Sequence, residues 1–249
     1  MNTTVTPIVE PASAAPPIVV VPLPEHTKAR LPIMINDEIL IPGWVIDHES
    51  YRRWAHADDF PSSGRYSYID GMIWVELTME EFFGHNQVKR ICNDTLSPLV
   101  RLAKTGYYVP DGCLWTNHEA GISTEPDALF FTYEALNAGR IRLVKGKERG
   151  FMELEGTPDS ILEILSDSSV KKDTVILKDK CAKAGVAEYW LVDARGDEPI
   201  FQIWRLHEGS YQLADVNDGW QTSVVLGKGF KLEHGKDELG HPEFQLLAR

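Results

Sequence analysis

Apolar positions along the chain fall into short periodic blocks separated by polar punctuation. Tyr66-Ser67-Tyr68-Ile69-Asp70-Gly71-Met72-Ile73-Trp74-Val75 holds two β-prone runs around an Asp-Gly pair, the pattern of a tight hairpin. Between Glu80 and Ala103 the spacing becomes helical, with Val88, Cys92, Leu96, Leu99 and Ala103 on one stripe; Pro98 predicts a kink or break there. Residues 107–114 and 128–131 read as strands, and 140–154, with Gly146 and Gly150, as a strand pair or a loop excursion. Ser160-Ile161-Leu162-Glu163-Ile164-Leu165 is an apolar run with one acid in its middle. A helix over about 170–184 comes next, capped by Ser168 or Ser169 and closed at Gly185. Glu188-Tyr189-Trp190-Leu191-Val192-Asp193 then gives a second buried strand, so this stretch predicts a βαβ crossover with parallel pairing.

Upstream, residues 39–45 predict a strand and turn, and 50–54 one or two helical turns capped by Asp47 or Ser50. Downstream, 199–232 alternates as a β-rich tail with a turn at Asp218-Gly219. The pattern divides the chain into a flexible Pro- and Ala-rich arm (1–30), an extension packing on the core (31–63), one α/β domain (64–206) and a β-rich C-terminal extension (207–249). No internal repeat interrupts this order.

Composition adds two constraints. An apolar share of 43% suits a globular protein with a real core, but the formal net charge of −12 removes any global field that would draw the chain to nucleic acid or anionic membranes. Nucleic-acid contact must then rest on a local basic patch or on metal ions. Cys92, Cys113 and Cys181 lie far apart, which predicts reduced buried thiols and neither disulfides nor zinc. The apolar stretch 16–22 is short and broken by prolines, so neither a signal sequence nor a membrane span is expected, and the location expected is cytoplasmic.

The candidate chemistry begins with Glu163. On a strand it shares a face with Ile161 and Leu165, and a carboxylate there is costly unless it is hydrogen-bonded, paired or bound to a cation. Asp127, after Pro126 and before an apolar run, reads equally as a turn residue or as a second acid at a strand end. Two such carboxylates suit Mg²⁺, which takes few protein oxygens and keeps its waters.

Taken in order, Tyr66-Ser67-Tyr68-Ile69-Asp70-Gly71, His85-Asn86, Pro126-Asp127, Glu163-Ile164-Leu165-Ser166, Asp173 and 185–193 resemble the Uma-type family of putative restriction endonucleases, within the PD-(D/E)xK superfamily. The resemblance implies an α/β (α+β) fold with a mixed sheet flanked by helices. It also implies Mg²⁺-dependent (or Mn²⁺-dependent) hydrolysis of phosphodiester bonds, with Asp127 and Glu163 as catalytic metal ligands. DNA is the implied partner, with RNA left open, no membrane, and a homodimer as a further expectation.

Two features, the lysine and an acid of the hairpin, depart from the family pattern. The lysine expected two residues after the second acid is Leu165, and its alternative place on the next helix is Leu177. Lys180 and Lys178 are the nearby candidates; on an α-helix Lys180 lies within roughly 20° of Asp173 and Lys178 about 140° away. Ser67 stands where the family commonly has an acid, with Asp70 close by as a turn residue or substitute. His85 reads as a phosphate or ligand contact or as a cap, and Asp173 as a lysine-orienting group or a helix cap. Lys171 and Lys172 form the one compact basic spot near these acids, a type of cluster that usually faces solvent. The rival to an active nuclease is a nuclease-fold protein that binds nucleic acid or a protein partner without cutting.

Overall fold

The computed structural model describes residues 18–22, 31–36, 39–146 and 150–249. In chain order the strands are β1 (Val19–Pro22), β2 (Ile33–Ile35), β3 (Ile39–Ile41), β4 (Arg65–Ile69), β5 (Met72–Glu76), β6 (Gly106–Pro110), β7 (Leu114–Asn117), β8 (Ile122–Thr124) and β9 (Ala128–Thr132). They continue with β10 (Ile141–Lys145), β11 (Phe151–Gly156), β12 (Ser160–Ile164), β13 (Glu188–Asp193), β14 (Ile200–His207), β15 (Ser210–Leu213), β16 (Gln221–Ser223), β17 (Lys228–Lys236) and β18 (Pro242–Ala248). The helices are α1 (His48–Ala55), α2 (Val88–Ala103), α3 (Tyr133–Asn137) and α4 (Lys178–Lys183), and π-helical turns over Phe82–Gln87 and Lys172–Leu177 lead directly into α2 and α4.

Two mixed sheets stand where one was expected. One runs β1-β5-β4-β8-β7-β11-β10 and the other β15-β14-β13-β12-β9-β6. They share an apolar layer: Ile69, Trp115, Ile122 and Leu154 of the first meet Leu129, Phe131, Ile161, Tyr189 and Leu191 of the second, with Leu177 and Cys181 from the crossover helix. The opposite face of the second sheet, through Leu162, Ile164 and Trp190, packs on Val88, Cys92 and Leu96 of α2 and on Phe230 and Leu246 of the C-terminal strands. Sheets buried on both faces carry continuous apolar strands, which is why β12 and β13 read as unbroken runs.

Local chemistry explains most of the boundaries. Asp70 (φ 52°) and Gly71 (φ 78°) turn the β4–β5 hairpin with both central residues left-handed, the geometry that matches strand twist. Beyond Glu163, Ser166 and Ser169 exchange backbone-to-hydroxyl bonds of 3.1 and 3.2 Å at the entrance to the crossover helix. Gly185 closes that helix at φ +79°. β12 and β13 pair in parallel, so the crossover expected from the sequence is present. α2 continues through Pro98 to Ala103. In the expected strand pair or loop excursion over 140–154, the described residues include β10 and the start of β11, which pair antiparallel; 147–149 lie outside the described residues. The expected N-terminal arm falls mostly outside the described residues; its described part, 18–22, forms β1 against β5.

α1 is held to the first sheet by charge as well as packing. Its cap is the Asp47–Ser50 box, and Tyr51 and Trp54 are wholly buried. Arg52 binds Glu153 through Nε (2.8 Å) and Glu155 through Nη2 (3.0 Å), and His56 Nε2 lies 2.9 Å from Glu153. His48 stacks on Tyr68 at 4.6 Å and contacts Ser123 Oγ at 2.8 Å. Burial, with His118 and Arg52 nearby, pushes His48 down to about 4. Protonation therefore favours the unfolded chain. The stability tied to a neutral His48 is complete above its ordinary value near 6.5 and is lost as pH falls from there toward about 4. His48→Gln should flatten the fall in denaturation midpoint between pH 6.5 and 4.5, by about 1–2 kcal/mol after discounting for partial exposure. Parallel pH profiles for variant and wild type would remove His48 as the cause.

Candidate active site

Glu163 sits near the end of β12, between β9 and β13. Its face carries Ile161 and Leu165 into the layer between the sheets. It is 4% exposed, and Oε1 has no hydrogen-bond partner. Burial, then the like charges of Asp173 and Asp127, raises its carboxyl well above the ordinary range, and Lys172 and Arg65 only partly oppose this. Glu188, an acid as deeply buried on the next strand, is the instructive contrast. Its oxygens accept from Trp190 Nε1 (3.0 Å), Ser223 Oγ (2.6 Å) and the Val224 N–H (2.6 Å), so it serves as a structural tie between β13 and β16.

Asp127 lies at the entrance to β9 and is surrounded by donors. Oδ1 is 3.0 Å from both Arg65 Nη1 and Lys89 Nζ, while Oδ2 accepts the Ile164 N–H at 2.9 Å. Burial opposes its ionisation, but Arg65, Lys89, His85 and that N–H outweigh it and hold the carboxyl below its usual value. Arg65 and Lys89 are shared with Glu80 (2.5 Å each) and Asp111 (2.8 Å each). His85 bridges the group, with Nε2 3.6 Å from Asp127 and Nδ1 3.4 Å from Glu80, neither aligned as a hydrogen bond at Nδ1 nor short enough at Nε2. The π-helical turn presents His85 because Gly84 passes close to Ala194: a Cβ there would lie 2.7 Å from the Ala194 carbonyl oxygen.

Besides Lys89, a second buried lysine, Lys172, is set among carboxylates. It is 7% exposed, contacts Glu76 and lies 3.5 Å from Asp173 Oδ1. Asp173 is 2% exposed, Oδ1 accepts no hydrogen bond, and burial lifts its carboxyl to about 6 against the pull of Lys172 and Ser169. Lys180 instead pairs with Asp70 at 2.8 Å, and Lys178 lies over the Trp204 ring at 3.8 Å. The π-helical turn at Lys172–Leu177 explains the difference, because each extra residue in a turn rotates the downstream helix by roughly 100° relative to an uninterrupted α-helix. Leu177 is fully buried in the inter-sheet layer, and Ser67 bonds Thr124 Oγ1 at 2.8 Å. Lys172 was visible in the sequence only as half of an exposed-looking Lys-Lys pair. Lys171 is exposed; Lys172 is not.

Two donor sets could take a cation. Glu80, His85 and Asp127 offer atoms within 4.8 Å of one another, but Lys89 and Arg65 already neutralise them. Glu163 and Asp173 each keep a buried oxygen that accepts no hydrogen bond, a set of hard oxygens that fits Mg²⁺ or Mn²⁺. Two clefts flank the 166–168 loop. One, about 830 Å³, reaches His85 past Ser166 and Arg195 and is walled by Lys236 and Phe244 of the C-terminal strands. The other, about 510 Å³, is lined by Val20, Trp74, Ser168, Lys171 and Lys172.

Buried acids thus stand at the end of β12, at the entrance to β9 and on the crossover helix of a mixed α/β fold, with Lys172 beside Asp173. Residues 48–234 match the Uma2 family model, described as a putative restriction endonuclease, and the chain belongs to that family. Its fold is shared with a putative nuclease of the DUF820 group from Anabaena variabilis, at 18% identity and a TM-score of 0.54 over 73% of this chain and 91% of the other. No curated protein matches the chain. Among the described residues, no helix is long and apolar enough to cross a membrane.

Proposed function

We propose that the protein is a Mg²⁺-dependent endonuclease hydrolysing phosphodiester bonds in DNA, acting in the cytoplasm. The observation that carries the reading is Glu163: a buried acid in a central strand whose Oε1 accepts no hydrogen bond, in a family described as a putative restriction endonuclease. Asp127 fixes the backbone next to Glu163 through the Ile164 N–H and adds negative charge to the site. Mg²⁺, when bound, supplies charge stabilisation and an activated water. Among the lysines, Lys172 suits the stabilisation of charge on the scissile phosphate better than Lys180 or Lys178, because it lies with the acids and lines an open cleft.

The second reading, a nuclease fold that binds without cutting, is favoured by Leu177 and Ser67 at the two departures and by the net charge of −12. Incubating the purified protein with plasmid, single-stranded DNA and RNA under Mg²⁺, Mn²⁺ or EDTA separates the two. Cutting that needs the metal and stops in EDTA supports the nuclease; retained binding with no cutting under either metal selects the second reading. Light scattering on the same sample reports whether it acts as a homodimer.

A further inference from the structure

Buried carboxylates in this protein are matched by donors almost one for one. Asp127 has Arg65, Lys89 and the Ile164 N–H; Glu153 has Arg52 and His56; Glu188 has Trp190, Ser223 and Val224. Glu163 and Asp173 depart from the pattern: each holds one buried oxygen that accepts no hydrogen bond, although Lys172 Nζ lies 3.5 Å from Asp173 Oδ1. An unsatisfied buried polar group costs roughly 1–3 kcal/mol, so two that repel one another need an explanation.

The local balance of charge supplies one. Glu76, Glu163 and Asp173 surround Lys172, whose ammonium contacts Glu76 and lies 3.5 Å from Asp173. With the acids ionised, three negative charges face one positive charge and two remain. One divalent cation neutralises two. The oxygens that accept no hydrogen bond come from two elements, β12 and the π-helical turn, and Lys172, beside Asp173, lines a cleft; a hard ion held there would take carboxylate oxygens and water. Asp127, by contrast, already faces two cations, Arg65 and Lys89, through Oδ1 and accepts the Ile164 N–H through Oδ2.

We infer that Asp173 is a direct ligand of the divalent cation, holding it together with Glu163. The inference rests on the proposed metal-dependent site and names a ligand in it. It gives Asp173 a role other than capping its helix or orienting a lysine.

The test is Mn²⁺ binding, followed by electron paramagnetic resonance and calorimetry on the wild type, Glu163→Gln, Asp173→Asn and Asp173→Glu. Asp173→Asn should bind Mn²⁺ at least tenfold more weakly, yet melt in EDTA no lower than the wild type because a like charge is gone. Asp173→Glu should recover part of the affinity. A purely structural Asp173 would give the reverse: a lower melting temperature with Mn²⁺ affinity unchanged, and that outcome overturns the inference while leaving the nuclease reading in place. Anomalous scattering from Mn²⁺-soaked wild-type crystals decides the matter without any variant. An Mn²⁺ peak at about 2.1–2.3 Å from Asp173 supports it, and a peak coordinated elsewhere ends it. Wild type that binds no Mn²⁺ and cuts nothing removes both the ligand and the metal-dependent nuclease.

Discussion

Glu163→Gln is expected to abolish metal-dependent cleavage while making the metal-free protein harder to unfold. Both effects come from one atom. Oε1 is buried and accepts no hydrogen bond, and the neighbouring charges of Asp173 and Asp127 make an anion there unfavourable. The neutral amide keeps the shape and removes that charge. Because the folded-state carboxyl is raised above its unfolded value, the wild type is favoured in acid and loses stability as pH rises past the ordinary glutamate range; the amide has no such loss. The variant should therefore match the wild type near pH 4 and exceed it at pH 7.5 by on the order of 1–3 kcal/mol in denaturant titrations with EDTA present. Cleavage should fall about a thousandfold or more, since a bound ion contributes several kcal/mol to such reactions. A variant that is less stable at both pH values would mean that Glu163 is an ordinary structural acid like Glu188. One that cuts at the wild-type rate would place the chemistry elsewhere.

Features set by neighbouring residues were legible in the sequence. Asp70-Gly71 can turn a hairpin whatever surrounds it, and Ser160–Asp193 spells strand, helix and strand through its own periodicity, cap and closing glycine. Glu163 was also legible as an acid out of place among apolar residues. Features set by distant partners were not. Glu188 and Glu163 occupy similar apolar strands, and only Ser223 and Val224, from a remote strand and loop, show that the first is satisfied and the second is not. The lysine was obscured for a different reason: the angular comparison of Lys180 and Lys178 assumed an α-helix, and a π-helical turn has no clear signature in one sequence. β1 was hidden because four residues of an otherwise featureless arm acquire their pattern only by pairing with β5.

Asp127→Ala is expected to cost about 3–5 kcal/mol of folding stability, the largest loss of any single polar change near the site. The carboxylate is wholly enclosed, and its removal strands two cations at once. Arg65 and Lys89 each lie 3.0 Å from Oδ1, and the Ile164 N–H loses its acceptor beside Glu163. Glu80 and Asp111 still contact both cations, but they are partly exposed and screened, so they compensate only in part. Asp127→Asn should lose less, because its amide oxygen can still accept from Ile164 while only the charge disappears. Adding Lys89→Met to Asp127→Asn should recover part of the loss, since the second change removes a cation that the first left unpaired. Urea titrations of these variants give the order directly. A cost below about 1 kcal/mol for Asp127→Ala would show that Glu80 and Asp111 suffice to hold the cations and that Asp127 is free to serve a metal ion. The expected large cost has a practical consequence for assigning its role: lost cleavage in Asp127→Ala reports the collapse of a charge cluster as readily as a missing ligand, whereas lost cleavage that persists in Asp127→Asn after Lys89→Met has restored stability bears on the chemistry.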